Sequence, residues 1–211
     1  MKKRQKKSPK KFPGKFITIG LTGGIGMGKS KAAEILSRFG LPIYSADAAV
    51  HRLIARNGAA VLKIARLFPG AVKKGAVDRA ALGRHVFGKP KELKKLEAIL
   101  HPLVRKEETL FLQGAHRAGA RAAVLEIPLL FETGGEKRCD IVLCVTAPKN
   151  IQMKRVMQRP GMDAAKFRAI VKMQMPDLEK RRRADYIVDT GKSMADTQRQ
   201  LKRILASQGL I

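Results

Sequence analysis

A glycine-rich segment directly after an apolar run is the feature that most restricts how this chain can fold. Residues 16–21 are largely apolar, and residues 23–30 read Gly-Gly-Ile-Gly-Met-Gly-Lys-Ser. This is the complete G-x-x-x-x-G-K-S spacing, which needs a strand before the loop and a helix after it. Apolar residues repeat at helical spacing over residues 32–39, so the sequence predicts strand, loop and helix in that order.

The loop has the composition of a phosphate-binding site. Its glycines let consecutive backbone N–H groups turn inward around a phosphate chain, where any Cβ would intrude. A lysine at the position of Lys29 reaches β- and γ-phosphates, and a hydroxyl at the position of Ser30 ligates Mg²⁺. Lysine and serine at the helix start favour a nucleoside triphosphate over a dinucleotide. The residues predicted to bind the nucleotide are Gly23, Gly24, Ile25, Gly26, Met27, Gly28, Lys29 and Ser30.

Strand and helix patterns alternate along much of the chain. Apolar strand patterns, separated by amphipathic helical segments, occur at residues 41–45, 122–128, 140–146 and 186–188. This alternation predicts an α/β fold with a mainly parallel sheet flanked by helices. Residues 57–120 carry little strand signal. We expect a helical insertion there, placed over the carboxyl ends of the strands, with Pro102 kinking or breaking its long helix.

The expected organisation has three parts. Residues 1–15 are predicted to be a disordered basic tail. Residues 16–56 and 121–211 are expected to form a nucleotide-binding core, with a lid at about 149–180. The insertion at 57–120 is expected to hold the substrate.

Net charge restricts the class of partner. The formal net charge is +27, and +8 of it lies in residues 1–15, so the rest of the chain is itself basic. Such a balance fits either a nucleic-acid-binding protein or an enzyme that handles polyanionic small molecules. Aromatic residues make up 5% and tryptophan is absent, which leaves little surface for stacking on bases. We therefore expect no specific nucleic-acid partner.

The apolar segments and the cysteines indicate the compartment. No apolar run approaches the ~20 residues that a membrane-spanning helix needs, and the N-terminus lacks the apolar core of a signal peptide. Cys139 and Cys144 are too few for a disulfide framework, and Cys144 lies in an apolar run typical of a buried core. These features predict a cytoplasmic protein without a membrane partner.

Asp47 is the candidate for orienting an acceptor hydroxyl. It follows the second predicted strand, at the sheet edge where the glycine-rich loop is expected. A carboxylate there accepts the proton of the acceptor or holds its hydroxyl in line with the phosphate. The alternative is an N-cap of the helix predicted at residues 48–55. The residues alone leave both possibilities open.

Two arginines are candidates for stabilising the charge that develops in phosphoryl transfer. Arg155 and Arg159 are four residues apart on a predicted helix at 150–159, so they share one face. The turn at Pro160-Gly161 follows directly, which suggests a lid. The alternative is a solvated basic face.

His101 and Leu130 are weaker candidates for binding the acceptor. His101 precedes Pro102, and imidazole groups in general titrate near neutral pH, although a structural hydrogen bond is the alternative. The run Leu129-Leu130-Phe131 either walls an organic ligand or belongs to the core. Glu132, which follows it, is either a helix-start carboxylate or a site residue.

Taken in order, these segments resemble the dephospho-coenzyme A kinase family. The resemblance extends from about residue 16 to 191 and rests on residues 21–30, Ala46-Asp47, Leu100-His101-Pro102-Leu103, residues 127–132, residues 152–159 and residues 184–189. It implies a P-loop kinase fold, with a helical substrate-binding insertion and a lid. It also implies ATP-dependent phosphorylation of the ribose 3′-hydroxyl of dephospho-coenzyme A, the last step of coenzyme A synthesis, with Mg²⁺.

The resemblance also implies individual roles. Asp47 matches the acceptor-activating aspartate of the family and Arg155 its lid arginine, while His101 falls in the acceptor-binding region. The predicted site therefore has Asp47, Lys29 and Arg155 in catalysis. It adds Arg159 at the nucleotide and Asp47, His101 and Leu130 at the acceptor, with Mg²⁺ on Ser30.

Four positions depart from the family pattern. They are Met27, Lys31, Pro160 and Thr190, where Ser, Thr, Asp and Asn are frequent. The alternatives are another small-metabolite P-loop kinase and a basic nucleic-acid-binding ATPase. A monomer or a weak homo-oligomer is expected.

Overall fold

The structure is a computed structural model that describes residues 14–211. Within this part, the chain divides into two compact units. One holds the residues before Ser45 together with Gly114–Ile211, and the other holds Ser45–Gln113. The second unit thus begins at Ser45 rather than residue 57 and ends at Gln113 rather than residue 120, so Asp47 belongs to it.

Strands and helices alternate through the first unit, whereas helices dominate the second. In chain order the elements are β1 (Ile17–Thr22), α1 (Lys29–Arg38), β2 (Ile43–Ser45), α2 (Ala46–Ile54), α3 (Val61–Leu67), β3 (Val72–Lys73), β4 (Ala76–Val77), α4 (Arg79–Val86), α5 (Pro90–Arg117), β5 (Ala122–Glu126), β6 (Ile141–Thr146), α6 (Lys149–Met157), α7 (Ala164–Met173), α8 (Asp177–Arg183), β7 (Tyr186–Asp189) and α9 (Met194–Ser207). A short 3₁₀ helix spans Gly135–Arg138.

Among the described residues, a five-stranded sheet in the order β2-β5-β1-β6-β7 forms the centre of the first unit. The pairs of β1 with β5 and β6, and of β6 with β7, are parallel. Every residue of β1, β5 and β6 is buried, because a parallel sheet is covered by helices on both faces. The predicted α/β fold with a mainly parallel sheet is confirmed. In the register of β1 and β5, Leu21 lies opposite Glu126.

The second unit has its own apolar core, which includes Leu53, Ile64 and Phe68. Its strands β3 and β4 form a small antiparallel hairpin that the sequence patterns do not predict. Each strand has only two residues, too few for a period of two to show. The turn between them is Lys74-Gly75, with φ of 50° and 76°, and a type I′ hairpin turn requires positive φ at both of these positions.

Helix α5 continues through Pro102, which is exposed. The helix is therefore not broken at this residue, whereas a kink there stays a prediction. Because the helix continues on both sides, only the hydrogen bond that the missing N–H would donate is lost.

The predicted disordered tail lies outside the described residues, apart from Gly14 and Lys15. The Lys15 ammonium is 2.7 Å from a carboxylate oxygen of Asp140. Within residues 14–211, no helix combines the length and apolarity that crossing a membrane requires.

The thiol of Cys144 is expected to be unreactive in the folded protein. The residue is fully buried, as predicted. Burial, together with the negative charge of Asp177, raises the pKa of the Cys144 thiol to about 12. Since the thiolate is the reactive form, a thiol reagent at pH 8 should modify Cys144 only after unfolding. The measurement is a titration with a chromogenic disulfide in native and denaturing buffer. The variant Cys139→Ser isolates Cys144, and its fast labelling in native buffer would contradict the expectation.

Candidate active site

The glycine-rich loop connects β1 to α1 and has a backbone that needs glycine at specific positions. Gly26 and Gly28 have φ of 75° and 84°, in the left-handed region. A Cβ on Gly26 would lie 2.6 Å from Cγ2 of Val156, and one on Gly28 would lie 2.7 Å from Oγ1 of Thr190. Val156 and Thr190 thus pack directly against the loop backbone, and only glycine allows so close an approach.

The loop ends at the N-terminus of α1. Gly28 is the N-cap, and among residues 14–211 no side chain caps this helix end. The first turn, Lys29 to Ala32, contains no acidic residue. Since the first N–H groups of a helix carry partial positive charge and lack partners within the helix, this end suits an anion. A phosphate chain in the loop would meet these donors.

The side chain of Lys29 forms an ion pair with Glu126, the last residue of β5. Its Nζ atom lies 2.7 Å from Oε1 of Glu126, and the two side chains are 14% and 10% exposed. The hydroxyl of Ser30 lies 3.5 Å from the same carboxylate oxygen. The Lys29 ammonium, the Ser30 hydroxyl and the Glu126 carboxylate therefore lie together at the start of α1.

Two glutamines hold the backbone of Ile25 in the loop. The Ile25 N–H donates to Oε1 of Gln174, at 3.0 Å. The Nε2 of Gln152, from α6, donates to the Ile25 carbonyl at 2.8 Å. Gln174 directly follows α7, so the segment predicted as a lid is hydrogen-bonded to the loop.

Met27 and Thr190 join the loop to the residues that directly follow β6 and β7. The Met27 side chain is buried, and its sulfur accepts the N–H of Ala147 at 3.1 Å. The Thr190 hydroxyl donates to the Met27 carbonyl at 2.8 Å. Arg155 donates to the hydroxyl and the carbonyl of Thr190, at 2.9 Å and 2.6 Å. Arg155 thus reaches the loop through Thr190.

Replacing Thr190 with valine should destabilise the protein by about 1–2 kcal/mol, since the Met27 carbonyl and the Arg155 guanidinium both lose a buried partner. The measurement is urea unfolding. Thr190→Ser keeps the hydroxyl and serves as the control, expected to stay close to the wild type. A valine variant as stable as the wild type would show that this hydroxyl does not support the loop.

Arg155 and Arg159 do not share a helical face. Helix α6 ends at Met157, so Arg155 is in its last turn and Arg159 lies beyond it, exposed. The expectation of one face is wrong. The physical reason is Pro160, which disfavours helical backbone at the residue before it.

Leu130 is fully buried, next to Gly20 and Gly135, and belongs to the core. The expectation that it walls a ligand is therefore wrong. Its neighbour Leu129 is 40% exposed instead. A run of apolar residues alone does not reveal which side chain points outward.

Glu132 has a structural partner within the first unit. Its Oε1 lies 2.7 Å from Nζ of Lys180, whose side chain is fully buried, and accepts the N–H of Met175 at 2.8 Å. The Lys180 ammonium also donates to the carbonyl of Pro128, at 3.1 Å. The chain after β5 is therefore held to α8.

Asp47 lies in the first turn of α2 and is exposed, but it is not the cap of that helix. The cap is Ser45, whose hydroxyl accepts the N–H of Ala48 at 3.4 Å. The alternative role of Asp47, as the N-cap of this helix, is therefore wrong, because the helix begins two residues earlier than predicted. His101 is half-buried in α5, and both residues belong to the second unit.

The sequence patterns do not predict two of the residues that contact the loop and the start of α1. Glu126 is a carboxylate at the end of an otherwise apolar strand, and this isolated charge was the available signal. Gln174 has no such signal, since a glutamine after an amphipathic helix resembles any surface residue.

Known proteins resemble this chain over most of its length. A family model, dephospho-CoA kinase (CoaE), matches residues 17–196. The dephospho-CoA kinase of Brucella melitensis is 51% identical over 190 residues, which are 90% of this chain and 94% of that protein.

Two solved structures are also similar. The crystal structure of TT1252 from Thermus thermophilus has a TM-score of 0.80 and 42% identity, and the match covers 91% of this chain and 97% of that one. The dephospho-CoA kinase of Campylobacter jejuni has a TM-score of 0.68 and 30% identity over 92% and 98%. The predicted P-loop kinase fold is thus confirmed. The chain belongs to the dephospho-CoA kinase family, as its ordered motifs predicted, and is a phosphotransferase.

Proposed function

We propose that this protein transfers the γ-phosphoryl group of ATP to the ribose 3′-hydroxyl of dephospho-coenzyme A, which gives coenzyme A. The observation that carries the proposal is the phosphate loop with Lys29 and Ser30, in a chain that the family model matches from residue 17 to 196. This reaction completes coenzyme A synthesis.

The donor half of the site consists of the loop and the start of α1. Loop N–H groups other than those of Ile25 and Met27, which donate to Gln174 and to the Gly24 carbonyl, surround the phosphate chain. Lys29 neutralises the charge that develops on the transferred group. Ser30 provides a hydroxyl ligand for Mg²⁺, and its oxygen environment, with a carboxylate 3.5 Å away, suits this hard cation. Magnesium held there would offset the charge of the β- and γ-phosphates.

The acceptor half is assigned to the second unit. Asp47 accepts the proton of the 3′-hydroxyl or holds that hydroxyl in line. The carboxylate is available for this role because it is exposed and because Ser45, not Asp47, caps α2. His101 contributes a polar contact to the acceptor, and the helical unit provides the surface for a bulky substrate.

The lid is assigned to residues 149–180, with Arg155 and Arg159 as its cations. A guanidinium carries five N–H donors, and the two bonds to Thr190 use two of them. Arg155 can therefore contact a phosphate while it stays bound beside the loop. Arg159, exposed past the end of α6, would meet the nucleotide when the lid closes.

The test is a coupled assay of ADP release with purified protein, MgATP and a panel of acceptors. Dephospho-coenzyme A should give turnover, and the product should co-migrate with coenzyme A. Shikimate and nucleosides should give only background hydrolysis. Turnover with one of these, and none with dephospho-coenzyme A, would favour another small-metabolite kinase.

The same assay also tests the alternative that the protein is a nucleic-acid-binding ATPase. Added DNA or RNA should leave ADP release unchanged. Stimulation by nucleic acid that falls steeply with salt would indicate a nucleic-acid-dependent ATPase instead. The cytoplasmic location and the monomeric or weakly oligomeric state stay predictions.

A further inference from the structure

The backbone N–H of Gly26 is a donor without an acceptor inside the glycine-rich loop. Gly26 is buried, and within residues 14–211 its N–H donates no hydrogen bond. The N–H groups of its neighbours Ile25 and Met27, by contrast, donate to Gln174 and to the Gly24 carbonyl. Since buried N–H groups almost always have an acceptor, this one indicates that a ligand supplies it.

Gln152 determines the direction of this N–H. Its Nε2 donates to the Ile25 carbonyl at 2.8 Å, so that carbonyl faces α6. The peptide bond between Ile25 and Gly26 is trans, as are all peptide bonds of the described residues. In a planar trans peptide the C=O and the N–H point in opposite directions. The Gly26 N–H therefore points away from α6.

Rotation of this peptide would reverse the chemistry of the loop. Gly26 lies directly against α6, where an added Cβ would be 2.6 Å from Cγ2 of Val156 and 2.9 Å from the Gln152 carbonyl. If the peptide turned over, the Ile25 carbonyl oxygen would take the place of the N–H. A carbonyl oxygen repels an anion, whereas an N–H donates to it. The hydrogen bond from Gln152, whose side chain is buried, opposes this rotation.

We propose that Gln152 is a positioning residue for the nucleotide: it holds the Ile25–Gly26 peptide so that the Gly26 N–H donates to the phosphate chain. The donor is then in place before the nucleotide arrives, and binding requires no rotation of the backbone. The inference rests on the proposed function, because it takes the phosphate chain to lie in the glycine-rich loop. It adds a side chain that acts on the phosphates only through the backbone.

The first measurement observes the peptide itself by NMR. Isoleucine labelled with ¹³C at its carbonyl and glycine labelled with ¹⁵N give a carbonyl-to-amide correlation only where glycine follows isoleucine. The sequence has two such pairs, Ile19-Gly20 and Ile25-Gly26. Gly20 is paired within the sheet and serves as the internal reference. A non-hydrolysable ATP analogue with Mg²⁺ should move the Gly26 amide proton to lower field, as a hydrogen bond to a charged oxygen does, and leave that of Gly20 nearly unchanged.

The second measurement removes the amide donor. Gln152→Met keeps nearly the same side-chain volume and helix propensity. Without nucleotide, the Ile25 carbonyl carbon of this variant should move to higher field, because its hydrogen bond is lost. Isothermal titration calorimetry should give a Kd for the analogue about tenfold weaker than that of the wild type, as for the loss of one hydrogen bond to a charged group.

Gln208→Met is the matched control. Gln208 follows α9, and its Nε2 donates to the hydroxyl of Tyr186 at 2.9 Å. Tyr186 is the first residue of β7, so it lies at the opposite end of the parallel sheet from the loop. This variant loses a hydrogen bond from the same kind of donor and corrects for lost stability, which thermal unfolding measures. Its Kd should stay within about twofold of the wild type, since the two sites are far apart.

Three outcomes would overturn the proposal. In one, the analogue binds the wild type but the Gly26 amide proton does not move. In another, Gln152→Met binds the analogue as tightly as the wild type. In the third, the two methionine variants weaken binding equally, which would make Gln152 only a structural residue. If Gln152→Met does not fold, Gln152→Glu at pH 8 replaces it, because its carboxylate repels the Ile25 carbonyl. A wild-type Kd in that variant would also overturn the proposal.

These readouts separate the inference from the proposed function, because no dephospho-coenzyme A is present in either experiment. A protein that phosphorylates dephospho-coenzyme A while its Gly26 amide ignores the nucleotide keeps the proposed function and loses the role of Gln152. Conversely, the expected NMR and affinity changes, found without turnover of dephospho-coenzyme A, support the role of Gln152 and reject the acceptor.

Discussion

Replacing Lys29 with alanine is expected to lower kcat/KM for dephospho-coenzyme A phosphorylation by about 10²–10³-fold, roughly 2.7–4 kcal/mol of transition-state stabilisation. The lysine is placed at the start of α1, where the loop presents its N–H groups. Its charge is needed most when negative charge develops on the transferred group. The measurement is steady-state kinetics of ADP release with both substrates varied.

The loss of Lys29 also removes the partner of Glu126, so stability must be separated from catalysis. The double variant Lys29→Ala with Glu126→Gln removes the unpaired carboxylate and should recover the melting temperature without recovering activity. Lys31→Ala is the matched control, because Lys31 is exposed and pairs with Glu34 at 2.9 Å. Activity of Lys29→Ala close to that of Lys31→Ala would refute the assignment of the loop.

The second large effect is expected from Asp47→Asn, which should lower kcat by about 10²-fold or more, as for the loss of a positioned base. The affinity for a non-hydrolysable ATP analogue should not change, because the phosphate chain is assigned to the glycine-rich loop. Since Ser45 caps α2, the substitution should also leave the stability of the protein unchanged. Single-turnover kinetics and calorimetry measure the rate and the affinity, and thermal unfolding measures the stability.

Asp78→Asn provides the control for Asp47→Asn. Asp78 caps α4 in the same unit, with its carboxylate 3.0 Å from the N–H groups of Ala80 and Ala81. Asparagine is an equally good cap, and the substitution otherwise removes only an exposed ion pair with Lys73, at 3.0 Å. This variant should therefore keep normal turnover and lose little stability, since exposed ion pairs contribute little. Normal turnover in Asp47→Asn as well would remove Asp47 from the mechanism.

Much of the fold is predictable from sequence because its signals are local. The alternation of strands and helices predicts the parallel sheet, and Asp78 predicts the start of α4. Errors occur where two local signals compete. Ser45 and Asp47 are both good caps, and only the backbone of Ser45, with φ of −105° and ψ of 117°, settles which one is used.

The supporting contacts of the loop are not local. Glu126 is 97 residues from Lys29, Gln174 is 149 residues from Ile25, and Thr190 is 163 residues from Met27. No periodicity connects residues that far apart. Each contact depends on the order of the strands, which brings β5 and β6 to either side of β1.

The sequence by itself predicted a phosphate-binding loop at residues 23–30. This follows because the positive φ angles, the small side chains and the following helix are all properties of consecutive residues. The tertiary structure decided which carboxylate Lys29 meets, which threonine holds the loop, and which of two neighbouring leucines is buried. Those outcomes depend on pairing and packing between distant segments, and no single segment contains the information.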